Sequence, residues 1–345
     1  MQLSVLDLVP VRIDQTTGDA LAATRRLAQV ADEVGYHRYW LAEHHNMPAV
    51  AATNPPLLIA MVAAVTERIR VGSGGVMLPN HAPLVVAEQF ALLEAAYPGR
   101  IDLGIGRAPG SDPVTSYALR HGAGGVEEDA VARFPSYVDN VVSMMSPGGV
   151  GIQVAGRMHP LNATPHATSV PPVWLLGSSD YSARLAAERG LPYVFAHHFA
   201  GQGTAEALEL YRSSFRPSEA LAAPRTFLTV NASVAETQEE AERLALPQLE
   251  SMVALRTGGQ LRAQRLVEEA EKDPVPDAHR GLLESMKGRW VIGAPSEAAA
   301  QITELAATYA VDEVMVHPVA GAFIGTPPDA SPAREATLRL LADAL

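Results

Sequence analysis

Residues 69–105 of the chain, IRVGSGGVMLPNHAPLVVAEQFALLEAAYPGRIDLGI, contain one complete strand–helix–strand unit. Ile69–Leu78 and Ile101–Ile105 are short runs of the kind that forms buried strands, and Pro83 opens a helical pattern that continues to Ala96 between them. A helix that joins two strands connects parallel neighbours. The stretch therefore predicts part of a parallel sheet covered by helices.

The same unit recurs on both sides of this stretch. The first strand-like runs begin near residues 3, 38, 69 and 101, at intervals of roughly 30–35 residues that suit successive β–α units. Eight such runs occur in the chain, which favours a closed (β/α)8 TIM barrel with insertions over an open doubly wound sheet. The predicted strands are Leu3–Leu8, Arg38–Ala42, Ile69–Leu78, Ile101–Ile105, Pro172–Leu176, Tyr193–His197, Thr226–Val234 and Asp312–Val316.

Two segments interrupt the alternation within this single predicted domain, residues 1–345. Residues 107–170 are rich in glycine and proline and contain one helical pattern, Glu127–Met145, which predicts an insertion with small elements of its own. Residues 257–289 are charged and include Gly258-Gly259, Pro274 and Pro276. A long segment of this sort in an α/β protein is usually a functional lid or a disordered loop, and we expect a mobile lid.

Composition narrows the function classes. The 345 residues include 26 Lys+Arg against 38 Asp+Glu, a net charge of −12, and no cysteine. The absence of cysteine excludes disulfides, thiolate metal sites and cysteine nucleophiles, and the acidic balance argues against nucleic acid or an anionic membrane as a partner. The start of the chain lacks the basic region of a signal peptide, and the longest apolar run, Leu57–Val65, is too short to cross a bilayer. These features predict a cytoplasmic protein.

The helix that contains Leu57–Val65 has hardly any polar face. A barrel helix normally meets water on its outer side, so a second copy of the chain covering this face would explain the pattern. Contact between helices of one chain is the alternative. We expect a homodimer.

Nucleotide-binding fingerprints are absent. The segments that begin at Gly72 and Gly104 both lack the third glycine of G-x-G-x-x-G, and no P-loop motif occurs. A Rossmann-bound NAD(P) is therefore not expected.

Other candidate residues follow the predicted strands, at the end of the barrel where such folds keep their chemistry. Glu43-His44-His45 follows the second strand; its two imidazoles point to opposite faces, which argues against a metal site and leaves structural or acid–base roles open. Gly74-Gly75 interrupts the third strand, which marks either a close backbone approach to a ligand or a packing bend. His197-His198, at the end of the sixth strand, faces the same side and has no assigned step.

Two further features suggest local binding of an anion. Arg107 lies among small residues just after the fourth strand, which suits a bidentate grip on phosphate, although a solvated loop arginine is the alternative. Gly177-Ser178-Ser179-Asp180-Tyr181-Ser182 leads from the fifth strand into a helix and offers free N–H groups, although an ordinary N-cap is equally common.

Taken together, these residues resemble the bacterial-luciferase-like family of flavin-dependent monooxygenases, in particular its single-chain members. The resemblance rests on four segments in this order, Trp40–His45, Val71–Asn80, Gly99–Arg107 and Val173–Ser179. It implies a (β/α)8 barrel that takes reduced FMN and O2, forms a C4a-hydroperoxyflavin and oxygenates a small organic substrate, with the reduced flavin supplied by a separate NAD(P)H:flavin reductase.

The resemblance also implies roles for individual residues. His44 corresponds to the active-site histidine, Gly74 and Gly75 to a backbone bulge under the flavin ring that often contains a non-proline cis peptide, and Arg107 to the phosphate-binding arginine. Gly106 stands where luciferase has a cysteine. The residues that correspond to the phosphate-binding turn are Gly177, Ser178, Ser179 and Ser182. Members that use F420 in place of FMN, and a non-catalytic flavin-binding protein of the same fold, are the alternatives.

Overall fold

A computed structural model of the protein describes residues 1–108, 113–121 and 130–345. Its centre is a closed barrel of eight parallel strands in the order β1-β2-β3-β5-β8-β9-β10-β12, which β12 and β1 close by pairing with each other. All eight strands predicted from the sequence are confirmed. The strands are β1 Gln2–Asp7, β2 Arg38–Leu41, β3 Arg70–Ser73, β4 Val76–Met77, β5 Ile101–Gly106, β6 Val150–Val154, β7 Arg157–Leu161, β8 Val173–Gly177, β9 Tyr193–Phe195, β10 Thr226–Val234, β11 Val291–Gly293 and β12 Glu313–Pro318.

Several helices begin where the sequence supplies a cap or a proline. The Thr16 hydroxyl accepts a hydrogen bond from the Asp19 N–H and the Asp19 carboxylate accepts one from the Thr16 N–H, a capping box that starts the first helix. Asn54 accepts from the Leu57 N–H just before Pro55. The helices are α1 Thr17–Glu33, α2 Pro55–Ala63, α3 Pro83–Ala96, α4 Pro113–His121, α5 Phe134–Met145, α6 Asp180–Arg189, α7 His197–Ala200, α8 Thr204–Ser214, α9 Gln238–Arg256, α10 Val267–Lys272, α11 Asp277–Lys287, α12 Pro295–Thr308 and α13 Pro332–Ala344.

The N-terminal end of the barrel interior is filled by a buried ionic layer beside an aromatic cluster. Arg38 donates to Glu313 at 2.6 Å and to Asp102 at 2.8 Å, and all three side chains are buried. The Arg38 guanidinium also lies 4.9 Å from the centroid of the Trp174 ring. The charges of these buried side chains are paired with each other. Because the side chains fill this end of the barrel, the end that can hold a ligand is the opposite one.

The predicted insertion at 107–170 supplies one of the barrel's outer helices. Helix α5 packs against α3, and β6 and β7 form an antiparallel hairpin. The helical pattern was predicted from residue 127, whereas the helix begins at Phe134. Residues 109–112 and 122–129 of this insertion lie outside the described residues.

A second excursion, residues 235–294, leaves the barrel after β10. It contains α9, α10 and α11 and returns through β11, which pairs with β10 alone outside the barrel order. The helices of the excursion pack in an apolar cluster that includes Leu244, Leu249, Met286 and Trp290, together with Val319 and Ala320 just after β12. The helix that leads into the eighth barrel strand is α12, so α9 is an addition to the basic fold. The predicted lid, 257–289, is thus one part of a larger folded segment.

The predicted end of the sixth strand is wrong. The sixth strand was predicted to reach His197, but β9 ends at Phe195, and His197 and His198 begin α7. Among the described residues, no helix has both the length and the apolar composition needed to cross a membrane.

Candidate functional site

The mouth of the barrel, the end at which the eight strands finish, collects most of the predicted site residues. Glu43 is buried there directly after β2. Its Oε1 atom lies 2.7 Å from Nε2 of His45 and 2.7 Å from Nε2 of His81, and its Oε2 accepts the Met77 N–H at 2.8 Å. Burial alone would raise the pKa of Glu43, but the hydrogen bonds from His45 and His81 outweigh it and hold the pKa at about 2. The ionised carboxylate therefore ties the segment after β2 to the segment after β4.

His44 is held through its backbone and not through its ring. Its N–H donates to the Ala52 carbonyl at 2.7 Å, whereas its buried Nδ1 atom has no hydrogen-bond partner in the structure. Burial lowers the pKa of His44, and the nearby Glu43 carboxylate partly opposes this. The result is an imidazole that is neutral near pH 7, with its Nδ1 atom enclosed and unpartnered.

The Gly74–Gly75 peptide bond is cis, and it joins β3 to β4. Gly75 leaves no room for a side chain, and Gly74 would accept one only if Leu6 shifted. A Cβ atom on Gly74 would come within 2.8 Å of Leu6 Cδ1, and one on Gly75 would come within 2.8 Å of the Gly104 carbonyl and collide with Leu176. The two glycines therefore let the backbone approach its neighbours closely at the mouth.

Arg107 and the turn after β8 are brought together by a stacking contact. The Arg107 guanidinium carbon lies 4.1 Å from the centroid of the Tyr181 ring, in the first turn of α6. Ser179 is the N-cap residue of this helix, but its side chain makes no capping hydrogen bond, so the N–H groups of the first turn are not satisfied by it. Gly177 is required because a Cβ there would lie 2.6 Å from Ser182 Oγ. Ser182 is buried, whereas Ser178 and Ser179 are exposed.

A hydrogen-bonded group that the sequence analysis missed lies on the other side of the mouth. Asn231 donates from Nδ2 to the His198 carbonyl at 2.8 Å, and its Oδ1 lies 2.8 Å from Nδ1 of His317. Nδ1 of His198 lies 2.9 Å from the Thr229 hydroxyl. A signal was present in the sequence, because Thr229 and Asn231 occupy alternate positions of β10, with apolar residues between and beside them, and so point to the same face.

A small cavity of about 20 Å³, called here the His198 cavity, lies beside this group. Met252 and Arg256 of α9 and the segment around Arg289 and Trp290 form its other walls. The predicted site residues thus form two groups at the mouth, Arg107 with the α6 turn on one side and the histidines on the other. Among the residues that the structure describes, no group of three or more His, Asp or Glu side chains is arranged to hold a metal ion.

Comparison with known proteins agrees with this geometry. A family model for luciferase-like monooxygenases matches residues 1–312. A luciferase-like monooxygenase of Escherichia coli K12 is 45% identical over 267 residues, which cover 75% of this chain and 74% of that protein. The crystal structure of apo-MsnO8 is similar with a TM-score of 0.85 and 34% identity, over 99% of this chain and 98% of that one.

Two more distant structures share the fold and contain a cofactor. The oxygenating constituent of 3,6-diketocamphane monooxygenase from the CAM plasmid of Pseudomonas putida, a type II Baeyer–Villiger monooxygenase in complex with FMN, has a TM-score of 0.72 and 21% identity, covering 99% of this chain and 96% of that one. An F420-dependent secondary alcohol dehydrogenase with an F420–acetone adduct has a TM-score of 0.67 and 16% identity, covering 100% and 98%. The barrel, the extent of the family match and the relatives agree: this chain belongs to the luciferase-like monooxygenase family.

Proposed function

We propose that the protein is a monooxygenase that uses reduced FMN and O2 to oxygenate a small organic substrate. The observation that carries this proposal is the contact of Arg107 with Tyr181, which holds a cation against an uncapped helix start. Unsatisfied N–H groups, the positive end of the helix dipole and a guanidinium are the donor set that binds a phosphate. In a chain of net charge −12 this is a localised anion site.

The residues present fit a flavin mononucleotide. Arg107 and the turn formed by Gly177, Ser178, Ser179 and Ser182 would hold the phosphate. Gly74 and Gly75 would let the ring lie close to the backbone. When bound in its reduced form, FMN supplies the two electrons that activate O2.

In this proposal His44 is the acid–base group. Its unpartnered Nδ1 atom is buried at the mouth, and its depressed pKa leaves the imidazole free to accept a proton near pH 7. The Glu43 carboxylate beside it is engaged by His45 and His81. His44 therefore holds or moves a proton, while its neighbours fix the backbone from which it projects.

A separate NAD(P)H:flavin reductase supplies the reduced flavin in this proposal, because the sequence contains no Rossmann or P-loop fingerprint. The segment 257–289, with α10 and α11, acts as the lid that excludes water from the site. FMN is the preferred cofactor and F420 is the alternative, since structures of this fold hold either one.

Oxygen consumption tests the proposal. Photoreduced FMN is mixed with the protein and candidate substrates, and oxygenated product is measured by mass spectrometry with ¹⁸O2. Incorporation of one ¹⁸O atom is the expected result. An F420-dependent dehydrogenase would instead reduce or oxidise substrate with F420 and without O2, and a non-catalytic flavin-binding protein would bind FMN without forming product.

An apolar surface on α2 and α3 supports the expected homodimer. Leu57, Met61, Val85 and Leu92 are large apolar residues on these adjacent helices, and between 44% and 61% of each is exposed. A contiguous exposed apolar surface usually marks a protein interface. We propose that a second copy of the chain covers it.

A further inference from the structure

A groove with a volume of about 860 Å³, called here the α9 groove, lies between helix α9, the segment that follows it and helix α10. Its walls include Glu250 and Ala254 of α9, whereas Met252 and Arg256 of the same helix line the His198 cavity. Residues two positions apart on an α-helix are separated by about 200° around its axis, so the groove and that cavity lie on opposite faces of α9. Among the described residues that line the groove, none belongs to the proposed flavin site.

The α9 groove has the size and the lining of a site for a small organic molecule. Clefts that bind such molecules have volumes of roughly 300–1,000 Å³ and mostly apolar walls with a few polar groups. Apolar side chains of the groove include Pro247, Leu261, Pro274 and Val275. The hydroxyl of Ser251, which also lines it, donates to the Pro247 carbonyl at 2.9 Å and so is engaged within its own helix.

Glu250 is the most buried of the charged side chains that line the groove, with 9% of the side chain exposed. Its Oε2 atom accepts from Nη1 of Arg265 at 3.2 Å, whereas its Oε1 atom is enclosed and has no hydrogen-bond partner in the part of the chain that the structure describes. Arg265 is committed elsewhere, because Nη1 also donates to the Asp273 carbonyl at 3.0 Å and Nη2 donates to the Glu269 carbonyl. One oxygen of the carboxyl group is therefore left without a donor.

Asp102 shows how a fully paired buried carboxylate is arranged in this protein. Its Oδ2 atom accepts from Arg38 at 2.8 Å and its Oδ1 atom accepts from Arg70 at 2.6 Å, so each oxygen faces a cation. Burial alone would raise the pKa of Asp102, but Arg38 and Arg70 outweigh burial and lower it. Glu250 has a cation, Arg265, on one oxygen only. Its other oxygen is a position that a second cation can fill.

We propose that the α9 groove binds an organic ammonium ion, whose N–H group donates to Oε1 of Glu250 and whose hydrocarbon body lies against the apolar walls. The terminal torsion of a glutamate is soft, and rotation about it turns this oxygen from the wall toward the groove. Arg262 and Lys272 also line the groove, but their side chains are exposed, so water and salt screen their charge. An uncharged ligand gains less at this position, because hydrogen bonds between charged groups are the stronger ones.

Binding of the ammonium ion is coupled to the ionisation of Glu250. Burial raises the pKa of Glu250 to about 7, against the effect of Arg265 and with a contribution from Asp273, so the carboxyl group is about half protonated at pH 7. A cation on Oε1 favours the ionised form. Binding at pH 7 therefore releases about half a proton, and lowering the pH to 5.5 weakens the apparent affinity about tenfold. The other charged and titratable side chains of the groove are Arg262, Glu269, Lys272 and His279.

Isothermal titration calorimetry on the full-length protein tests the proposal with three probes of one size: 1-naphthylmethylamine, 1-naphthylmethanol and 1-naphthoate. At pH 7 the amine, which is then an ammonium ion, should bind about tenfold more tightly than the alcohol, the effect of one charge-assisted hydrogen bond. Titrations in buffers of different ionisation enthalpy should show proton release with the amine and none with the alcohol. Absent binding of the amine, equal affinities of amine and alcohol, tighter binding of naphthoate, or no proton release would each overturn the proposal.

Variants locate the binding site. Glu250→Gln should abolish both the preference for the amine and the proton release, while Glu284→Gln, at an exposed position of α11, should keep both. Ala254→Trp fills the groove and should abolish binding of the amine, whereas Ala278→Trp, at an exposed position of α11 away from the groove lining, should not. A preference that survives in Glu250→Gln, or binding that survives in Ala254→Trp, would contradict the assignment.

A spectroscopic measurement observes the carboxyl group directly. In protein labelled with ¹³C at the glutamate side-chain carboxyls, the Glu250 signal is the one missing from the Glu250→Gln spectrum. Adding 1-naphthylmethylamine at pH 7 should move this signal to the chemical shift of an ionised carboxylate. A Glu250 signal that the amine leaves unchanged would overturn the proposal. Failure of oxygen incorporation would overturn only the proposed monooxygenase activity, because amine binding requires neither flavin nor O2.

Discussion

The guanidinium carbon of Arg107 lies 4.1 Å from the centroid of the Tyr181 ring. The contact joins an arginine that follows the fourth barrel strand to the first turn of the helix that follows the fifth. Stacking on an aromatic face leaves the guanidinium edge, with its N–H groups, open to a ligand. Arg107 is therefore oriented in the absence of a ligand, and its proposed contribution to phosphate binding can be measured directly.

Replacing Arg107 with alanine should raise the dissociation constant of FMN at least about tenfold, since one charge-assisted hydrogen-bonding group is lost. Equilibrium titration with reduced FMN under anaerobic conditions measures this. Arg184→Ala is the control. Arg184 lies on α6, the helix that also carries Tyr181, but it pairs with Asp180 at the surface. Unchanged affinity in Arg107→Ala would remove the residue from the phosphate site.

Replacing His44 with alanine should leave FMN affinity within about twofold and lower oxygenation by about 10²-fold or more, the usual contribution of a general acid–base group. Product formation and flavin binding are measured on the same preparation. His159→Ala serves as the control for loss of a histidine at the surface. If His44→Ala turns over normally, His44 has no acid–base role.

Glu43→Gln should destabilise the protein at neutral pH. The folded-state pKa of Glu43, about 2, lies below that of an exposed glutamate, so the ionised carboxylate stabilises the fold above about pH 4.5, and this contribution is lost as the pH falls toward 2. We expect the free energy of unfolding to fall by about 2–3 kcal/mol at pH 7 and by much less at pH 3. Urea unfolding at both pH values measures the difference, with the exposed Glu219→Gln as control. A loss of unfolding free energy that is the same at both pH values would contradict a stabilising role for the ionised Glu43 carboxylate.

Glu250→Gln should stabilise the protein above neutral pH, the opposite of the effect expected for Glu43→Gln. Burial raises the pKa of Glu250 to about 7, against the effect of Arg265, and its Oε1 atom is buried without a partner. Folding therefore favours the protonated side chain: its contribution is fully present below about pH 4.5 and is lost as the pH rises through 7. The variant should exceed the unmodified protein in stability by about 1–3 kcal/mol at pH 8 and match it at pH 4.5. Glu284→Gln, at an exposed position of α11, is the control; an advantage of equal size at both pH values would refute the explanation.

Leu57→Glu should convert a dimer into a monomer, because it places a charge in the apolar surface of α2 and α3. Sedimentation velocity gives the mass directly. Ile324→Glu changes another exposed apolar residue outside this surface and should leave the mass unchanged. A monomeric unmodified protein would refute the dimer itself.

The barrel could be predicted from the sequence because its signal is local and repeated. Each strand is a short apolar run, and Pro83–Ala96 was predicted with the observed bounds. The excursion at 235–294 could not be separated from the barrel in this way. A helical pattern after the seventh strand is the same whether the helix covers the barrel or, as α9 does, belongs to an added group of helices.

The position of the candidate site residues at the barrel mouth could be predicted from the sequence, but the hydrogen bonds that link them could not. The segments containing Glu43, Arg107 and Gly177 were placed correctly because each follows a strand. The link from Glu43 to His81, separated by 38 residues, depends on where two loops meet in space. The network of Thr229, Asn231 and His317 likewise requires the register of β10 beside β12, which pairs Asn231 with His317.

The excursion begins and ends at adjacent points of the structure, since Val234 of β10 is in register with Gly293 of β11. Because its two ends are held side by side, a change in the length of the segment between them need not separate β10 from β11, whereas its apolar cluster ties it to Val319 and Ala320 after β12. It also supplies the α9 and Trp290 walls of the His198 cavity. Sequence changes in the excursion can therefore reshape the walls of that cavity while the barrel strands that precede His44 and Arg107 keep their register.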